Sequence, residues 1–188
     1  MRKIVTSWAP TDLVSAALTG DEEAAEQLID AIWPRCFRLA ATILGDRDLA
    51  QDAAQEACVV VHRKIRSLRA TGAFDAWLYR IILREAARVR RRHGVLAQPV
   101  EAAQFASDDP TRVDVWRALT ELTPAFREVT VLFYFDDLKT DVIASILGVR
   151  HATVRTRLAR SRVLLREILG DYQDRLDSSS PEVPQYAV

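Results

Sequence analysis

Apolar positions recur every three to four residues along most of the chain, the period of helices that bury one face. Leu13, Val14, Ala17 and Leu18 form the first such stripe; Thr11 or Asp12 can cap it and Gly20 ends it. Asp21 caps a longer stripe of Ala25, Leu28, Ile29, Ile32 and Trp33, then Phe37, Ala40, Ala41 and Leu44, closed by Gly45. Pro34 falls inside this stripe and predicts a kink or a split, because proline gives up one backbone bond and crowds the preceding turn. A third helix, from about Asp46 to Arg66, buries Leu49, Ala53, Ala57, Val60 and Val61. After a polar loop, Ser67 to Ala73, a fourth begins at Phe74. It turns Trp77, Leu78, Ile81, Ile82 and Ala86 inward and Tyr79, Arg80, Arg84, Arg88 and Arg91 outward.

The periodicity stops from Gly94 to Arg112, where prolines and small residues replace it, and resumes with Val113, Val115, Trp116, Leu119 and Leu122. Thr123 is a cap with Pro124 at the first helical position, opening a helix that carries Phe126, Val129, Leu132 and Phe133. Thr140 can cap a short helix of Val142, Ile143, Ala144, Ile146 and Leu147 that stops at Gly148. A second helix follows at once, with Val154, Leu158, Leu164, Leu165 and Ile168 inside. Two short helices joined by a glycine-containing turn read as a helix-turn-helix. Beyond Gly170 the text is polar and contains proline and serine. The pattern therefore predicts an all-α chain of two small helical domains, residues 10–93 and 113–170. A flexible linker, 94–112, joins them, and a flexible tail, 171–188, follows.

Composition adds that the chain is an ordinary globular one, with 49% hydrophobic and 28% charged residues in 188. No apolar run reaches the roughly 18–20 residues that span a bilayer, and MRKIVTSWAPTD lacks a signal-peptide core, so the expectation is a cytoplasmic protein with no membrane insertion. The 26 basic and 26 acidic residues cancel, but they are segregated. From Arg63 to His93 ten basic side chains face only Asp75 and Glu85. Arg150, Arg155, Arg157, Arg160, Arg162 and Arg166 stand on or beside the last helix with no acid among them, the electrostatics of a helix set in a DNA groove. A solvated basic hairpin has the same pattern. Asp48, Asp52 and Glu56 lie in one helical row with Gln55 alongside. Like charges at this spacing cost a few tenths of a kcal/mol per pair, so the row is either presented to a basic partner or simply solvated. Phe74 and Trp77, beside the basic helix, are either core or a stacking platform for single-stranded nucleic acid.

Catalytic chemistry is not in evidence. His62, His93 and His151 are scattered, there is no phosphate-binding glycine loop and no nucleophile constellation, and nothing calls for a cofactor. Cys36 and Cys58 have no metal-ligand spacing and read as buried reduced thiols.

In this order, the segments resemble an extracytoplasmic-function sigma factor, the small two-domain class of bacterial transcription initiation factor. GDRDLAQDAAQE resembles the core-binding helix of sigma region 2, and FDAWLYRI with its basic continuation resembles the segment that reads the −10 element. LTPAFREVTVLFYFDDLKTDVIASILGV with TVRTRLARSR resembles region 4, which reads the −35 element. The likeness runs from about Asp12 to Leu169. It implies a sigma region 2 bundle and a sigma region 4 helix-turn-helix in a non-enzymatic subunit. It implies as partners core RNA polymerase, through its beta and beta-prime subunits, promoter DNA, and the anti-sigma factor that restrains many members. Residue by residue it implies core binding by Asp48, Asp52, Gln55 and Glu56. It places −10 contacts at Leu68, Arg69, Ala70, Thr71 and Gly72 of the loop, with Phe74, Trp77, Arg80, Arg84, Arg88 and Arg91 of the helix. It places −35 contacts at Arg150, Thr153, Arg155, Thr156, Arg157, Ala159 and Arg160.

Four positions depart from the family pattern. Arg84 replaces a frequent Asn, Leu68 a frequent Phe, Arg150 a small capping residue, and Ala159 is too short for much base contact. The competing reading is a stand-alone helix-turn-helix repressor with an N-terminal oligomerisation bundle, which would need neither the acidic row nor this linker.

Overall fold

A computed structural model describes residues 7–94 and 110–178, with side chains described from 7 to 94 and from 115 to 170. Among these residues the chain is all-α: helices α1 (Thr11–Thr19), α2 (Glu22–Leu44), α3 (Arg47–Lys64), α4 (Phe74–His93), α5 (Pro110–Glu121), α6 (Pro124–Tyr134), α7 (Thr140–Leu147) and α8 (His151–Ser178). Two 3-10 turns, Ile65–Ser67 and Thr71–Ala73, bracket the loop between α3 and α4.

The capping signals in the sequence largely set the boundaries. The Asp21 side chain accepts from the Ala24 N–H at 3.0 Å, and Asp46 accepts from Leu49 at 2.9 Å. Each satisfies an amide left without a partner in the first turn. Gly20, Gly45 and Gly148 end α1, α2 and α7 in the left-handed conformation, at φ of 101°, 70° and 65°. Two expected caps are displaced. Pro10, not Thr11 or Asp12, precedes α1, and Lys139 precedes α7. Thr140 is instead the first residue of α7, and its hydroxyl contacts His151 Nε2 at 2.7 Å, tying the start of α7 to the start of α8. Pro34 does not split α2, which runs unbroken for 23 residues. Ile32 and Cys36 on either side of the proline are fully buried, and Cys36 meets Cys58 of α3, so packing outweighs the lost backbone bond.

In the first domain α2 packs on α3, α3 on α4, and α1 lies across α2. Trp8 enters this core from the N-terminal side, at 5% exposure, with its backbone N–H donating to Asp75. In the second domain α5, α6 and α7 all pack on α8, over Leu119, Val129, Leu132, Ile143, Val154 and Leu158. The domains also touch: α7 lies against α4, and α5 and α6 against α2. Helix α5 begins inside the stretch read as linker, and α8 runs on to Ser178, past Gly170. The rest of the expected linker, 95–109, and the end of the expected tail, 179–188, lie outside the described residues.

Candidate nucleic-acid interface

Three charged faces emerge from these helices. On α3, burial of Leu49, Ala53, Ala57 and Val61 leaves Asp48, Asp52 and Gln55 exposed, with Glu56 half-buried at the edge of the same face. Val59, 45% exposed, lies beside them, so the acidic row carries an apolar neighbour that the helical period alone did not single out. A face mixing carboxylates with an exposed valine is better suited to a basic protein surface than to water alone.

The second face is α4 with the loop before it. Leu68 is half-buried against the core, while Arg69, Ala70 and Gly72 are exposed and Thr71 partly so. The Leu68 and Ala73 amides donate to Ile65 and Ala70 carbonyls at 3.0 and 3.1 Å, which fixes the loop as a protrusion between its two turns. Arg80, Arg84, Arg88 and Arg91 are all exposed and lie along one side of α4. Arg88 also pairs with the buried Glu85 at 3.5 Å. The two aromatics divide: Phe74, 1% exposed, belongs to the core, and Trp77 is half-buried with its ring 6.1 Å from that of Phe74.

The third face is the outer side of α8. Arg150, Arg155, Thr156, Ala159 and Arg160 are exposed, and Thr153 and Arg157 half-buried. Val154, Leu158 and Ser161 turn inward, the Ser161 hydroxyl donating to the Arg157 carbonyl one turn earlier at 2.9 Å. The Thr156 hydroxyl likewise donates to the Ala152 carbonyl, at 2.9 Å. Gly148 and the amide of Val149, which donates to Ala144, set the turn that holds α8 across α7.

A fourth cluster was not foreseen, and it corrects one expectation. Tyr79 does not face outward; it is 1% exposed. Its ring meets Trp8 edge-on at 4.9 Å, and its hydroxyl accepts from Arg35 Nη2 at 3.0 Å. The Arg35 guanidinium lies 4.4 Å over the Trp8 ring and 3.5 Å from Asp136 Oδ1 of the second domain. Burial pushes the Asp136 carboxyl above its usual range, against the pull of Arg35 and a hydrogen bond from Tyr79. Nearby, the buried Arg127 donates through Nε to Leu119, through Nη2 to Thr120 and Leu122, and through Nη1 to the Ile43 carbonyl of α2. It therefore caps a helix end in each domain. Burial, and next the charge of Arg90, draw its pKa down to about 10, so it stays charged at neutral pH. The signal for this cluster is long-range pairing, which no local period records.

Two further features complete the surface. Tyr134 and Phe135 are about half exposed, with Phe135 5.9 Å from the Trp116 ring and the Tyr134 hydroxyl accepting from Arg162 Nε at 2.7 Å. Cys36 and Cys58 are buried and hydrogen-bonded to each other across α2 and α3; this contact, and next burial, raise the Cys36 pKa, and the same contact lowers that of Cys58. No group of metal-ligating side chains occurs, and no helix is long and apolar enough to cross a membrane, among the described residues.

The comparisons with known proteins agree with this layout. The model for Sigma-70 region 2 matches residues 28–95, and that for Sigma-70 region 4 matches residues 112–165. The chain is 31% identical over 164 residues to the ECF RNA polymerase sigma factor SigM of Mycobacterium tuberculosis, covering 85% of this chain and 84% of that one. It is 29% identical over 187 residues to the ECF sigma factor SigE of Mycolicibacterium smegmatis, covering 91% and 72%. Among solved structures, the sigma factor RpoE of Bartonella quintana, in complex with the anti-sigma factor NepR, is similar with a TM-score of 0.64 at 25% identity, over 77% of this chain and 96% of that one. CnrH, in complex with the cytosolic domain of CnrY, shares the fold with a TM-score of 0.68 at 24% identity, over 86% and 97%. The first domain is thus a sigma region 2 bundle and the second a region 4 helix-turn-helix, and the chain belongs to the extracytoplasmic-function sigma factors, non-enzymatic subunits that direct RNA polymerase to initiate transcription.

Proposed function

We propose that the three faces divide the work of initiation. Asp48, Asp52, Gln55 and Glu56 on α3, with Val59 beside them, bind core RNA polymerase at a basic element of its large subunits. The loop from Leu68 to Gly72 takes up a base flipped from the −10 duplex, and Arg80, Arg84, Arg88 and Arg91 track the phosphates of the opened strand. Trp77 is the aromatic with surface to offer there, whereas Phe74 supports the loop from the core. Helix α8 lies in the −35 major groove with Arg150, Thr153, Arg155, Thr156, Arg157, Ala159 and Arg160 toward the DNA. These roles divide the chain as 10–93 for core and −10 binding, 94–112 as connector, 113–170 for −35 binding and 171–188 as tail. The protein works in the cytoplasm, where core polymerase and promoters are, and an anti-sigma protein is a partner by analogy with the NepR and CnrY complexes.

The observation that carries this reading is the segregation of charge. One exposed acidic face and two exposed basic faces stand on three different helices of a chain with no net charge. One surface suits a basic protein partner and two suit phosphate. Its test is charge reversal on α3. Asp52→Arg combined with Glu56→Arg should abolish co-elution with core polymerase while leaving helical circular dichroism unchanged. Co-elution at full yield would make the row a solvated face.

A further inference from the structure

Between Arg63 and His93 only Asp75 and Glu85 are acidic, in a segment whose exposed face is set against phosphates. Glu85 is buried and pairs with Arg88. Asp75 has a different use. It lies half-buried in the first turn of α4, just after the loop, and its Oδ1 accepts from the Trp8 N–H at 3.1 Å and from the Ser7 hydroxyl at 3.2 Å. Trp8 is itself fixed, its buried ring edge-on to Tyr79 of the same helix at 4.9 Å.

The other end of the loop is held by the opposite charge. Arg66, in the 3-10 turn that leads into it, donates through Nη2 to the Gly20 carbonyl at 3.2 Å and to Glu22 Oε1 at 2.6 Å. Helix α1 runs between these two anchors and packs on both 3-10 turns that bracket the loop. Residues 7–22 therefore pass across both ends of the loop, taking a cation at one end and an anion at the other. The loop's own backbone bonds are local, Leu68 to Ile65 and Ala73 to Ala70, and its exposed Ala70 and Gly72 have little side chain to pack. A pocket for an extruded base has to be held to within about 0.5 Å by the elements around it.

We propose that the N-terminal segment, residues 7–22, is a positioning element for −10 recognition, and that Arg66 and Asp75 are the two residues through which it sets the loop. This rests on the reading of the loop from Leu68 to Gly72 as the receiver of the flipped base. Arg66 and Glu22 are each more than half exposed, so their pair contributes little to stability. Its effect is on where the loop stands.

The test uses the full-length protein with core polymerase, on a promoter recovered by start-site mapping whose −10 element is changed one base at a time. The readout is the ratio of run-off yield on the preferred base to yield on the others. Asp75→Ala and Arg66→Glu should each lower that ratio about fivefold, a loss of about 1 kcal/mol of discrimination. Co-elution with core polymerase and preference at the −35 element should stay unchanged. Adding Glu22→Arg to Arg66→Glu restores the ion pair with its charges exchanged, and should recover most of the ratio. An equal loss of yield on every −10 variant, with the ratio kept, would make the segment a stabiliser only and overturn the proposal. No recovery in the exchanged pair would overturn the anchor at Arg66. Gly72→Val separates the underlying reading. A Cβ at Gly72 meets nothing within 4 Å and its φ is not left-handed, so the fold accepts the change and only what the loop receives is affected. The ratio should fall in this variant too. If it does not, the loop is not the −10 reader and that reading fails with the proposal; if it falls here alone, the reading stands and the positioning role is overturned.

Discussion

Arg155 and Arg160 stand five positions apart on α8, so their side chains diverge by about 140° around the helix. Both are exposed, yet they cannot both point into the floor of one groove. Arg160, with Thr156 one turn before it, is expected to reach base edges, and Arg155 to lie against the phosphates. A bidentate arginine–guanine pair is worth roughly 1–3 kcal/mol of discrimination, whereas a phosphate contact strengthens all sequences alike. On promoters recovered by start-site mapping, Arg160→Ala should flatten the base preference at the −35 element, and Arg155→Ala should weaken binding evenly and reduce its salt dependence. Uniform loss for Arg160→Ala would reverse the two roles. Asp136 gives a prediction in pH. Its carboxyl is raised by burial, so the native state holds a proton more tightly than the unfolded chain. That stabilisation is full below the ordinary value of 3.8 and is lost as pH rises through the raised one. Urea midpoints should therefore fall as pH rises out of the acid range, and Asp136→Asn should flatten part of that slope. Glu128, raised by burial as well, contributes with the same sign.

At the scale of elements, helix α2 shows how tertiary packing overrides a local signal. Pro34 predicts a kink or a split, and the split is absent where Ile32 and Cys36 on either side of it are fully buried. The cost is stored rather than removed, so Pro34→Ala should stabilise the protein by about 1–3 kcal/mol in urea unfolding. No gain would mean that the helix has already relaxed around the proline. The helices, their glycine stops and the cap at Asp21 were legible in the sequence because each depends on residues within one turn of one another. So were the acidic row and the two basic faces, since a helical period places every fourth residue on one side. Tyr79 was misplaced for the opposite reason. Its position on α4 looks outward by period, and what buries it is Trp8 from the N-terminal segment and Arg35 from α2. Phe74 and Trp77 could not be separated by spacing, because the first is covered by the core and the second only half so. Arg127, with carbonyl partners in two domains, reads in sequence as one more surface charge on an amphipathic helix.

For the whole molecule, zero net charge is the sum of surfaces with different tasks, and the docked arrangement lets acids and carbonyls of one domain meet arginines of the other. The account stands on the chain being the subunit that gives polymerase its start sites. Run-off transcription on genomic fragments, with core polymerase and this protein as the only factor, measures that directly. The wild-type chain should produce discrete transcripts whose start sites share two upstream elements, and the Asp52→Arg, Glu56→Arg variant should produce none above core enzyme alone. Discrete transcripts from the double variant at wild-type yield would contradict core binding through α3, and no promoter-directed transcript from the wild-type chain would contradict the account as a whole.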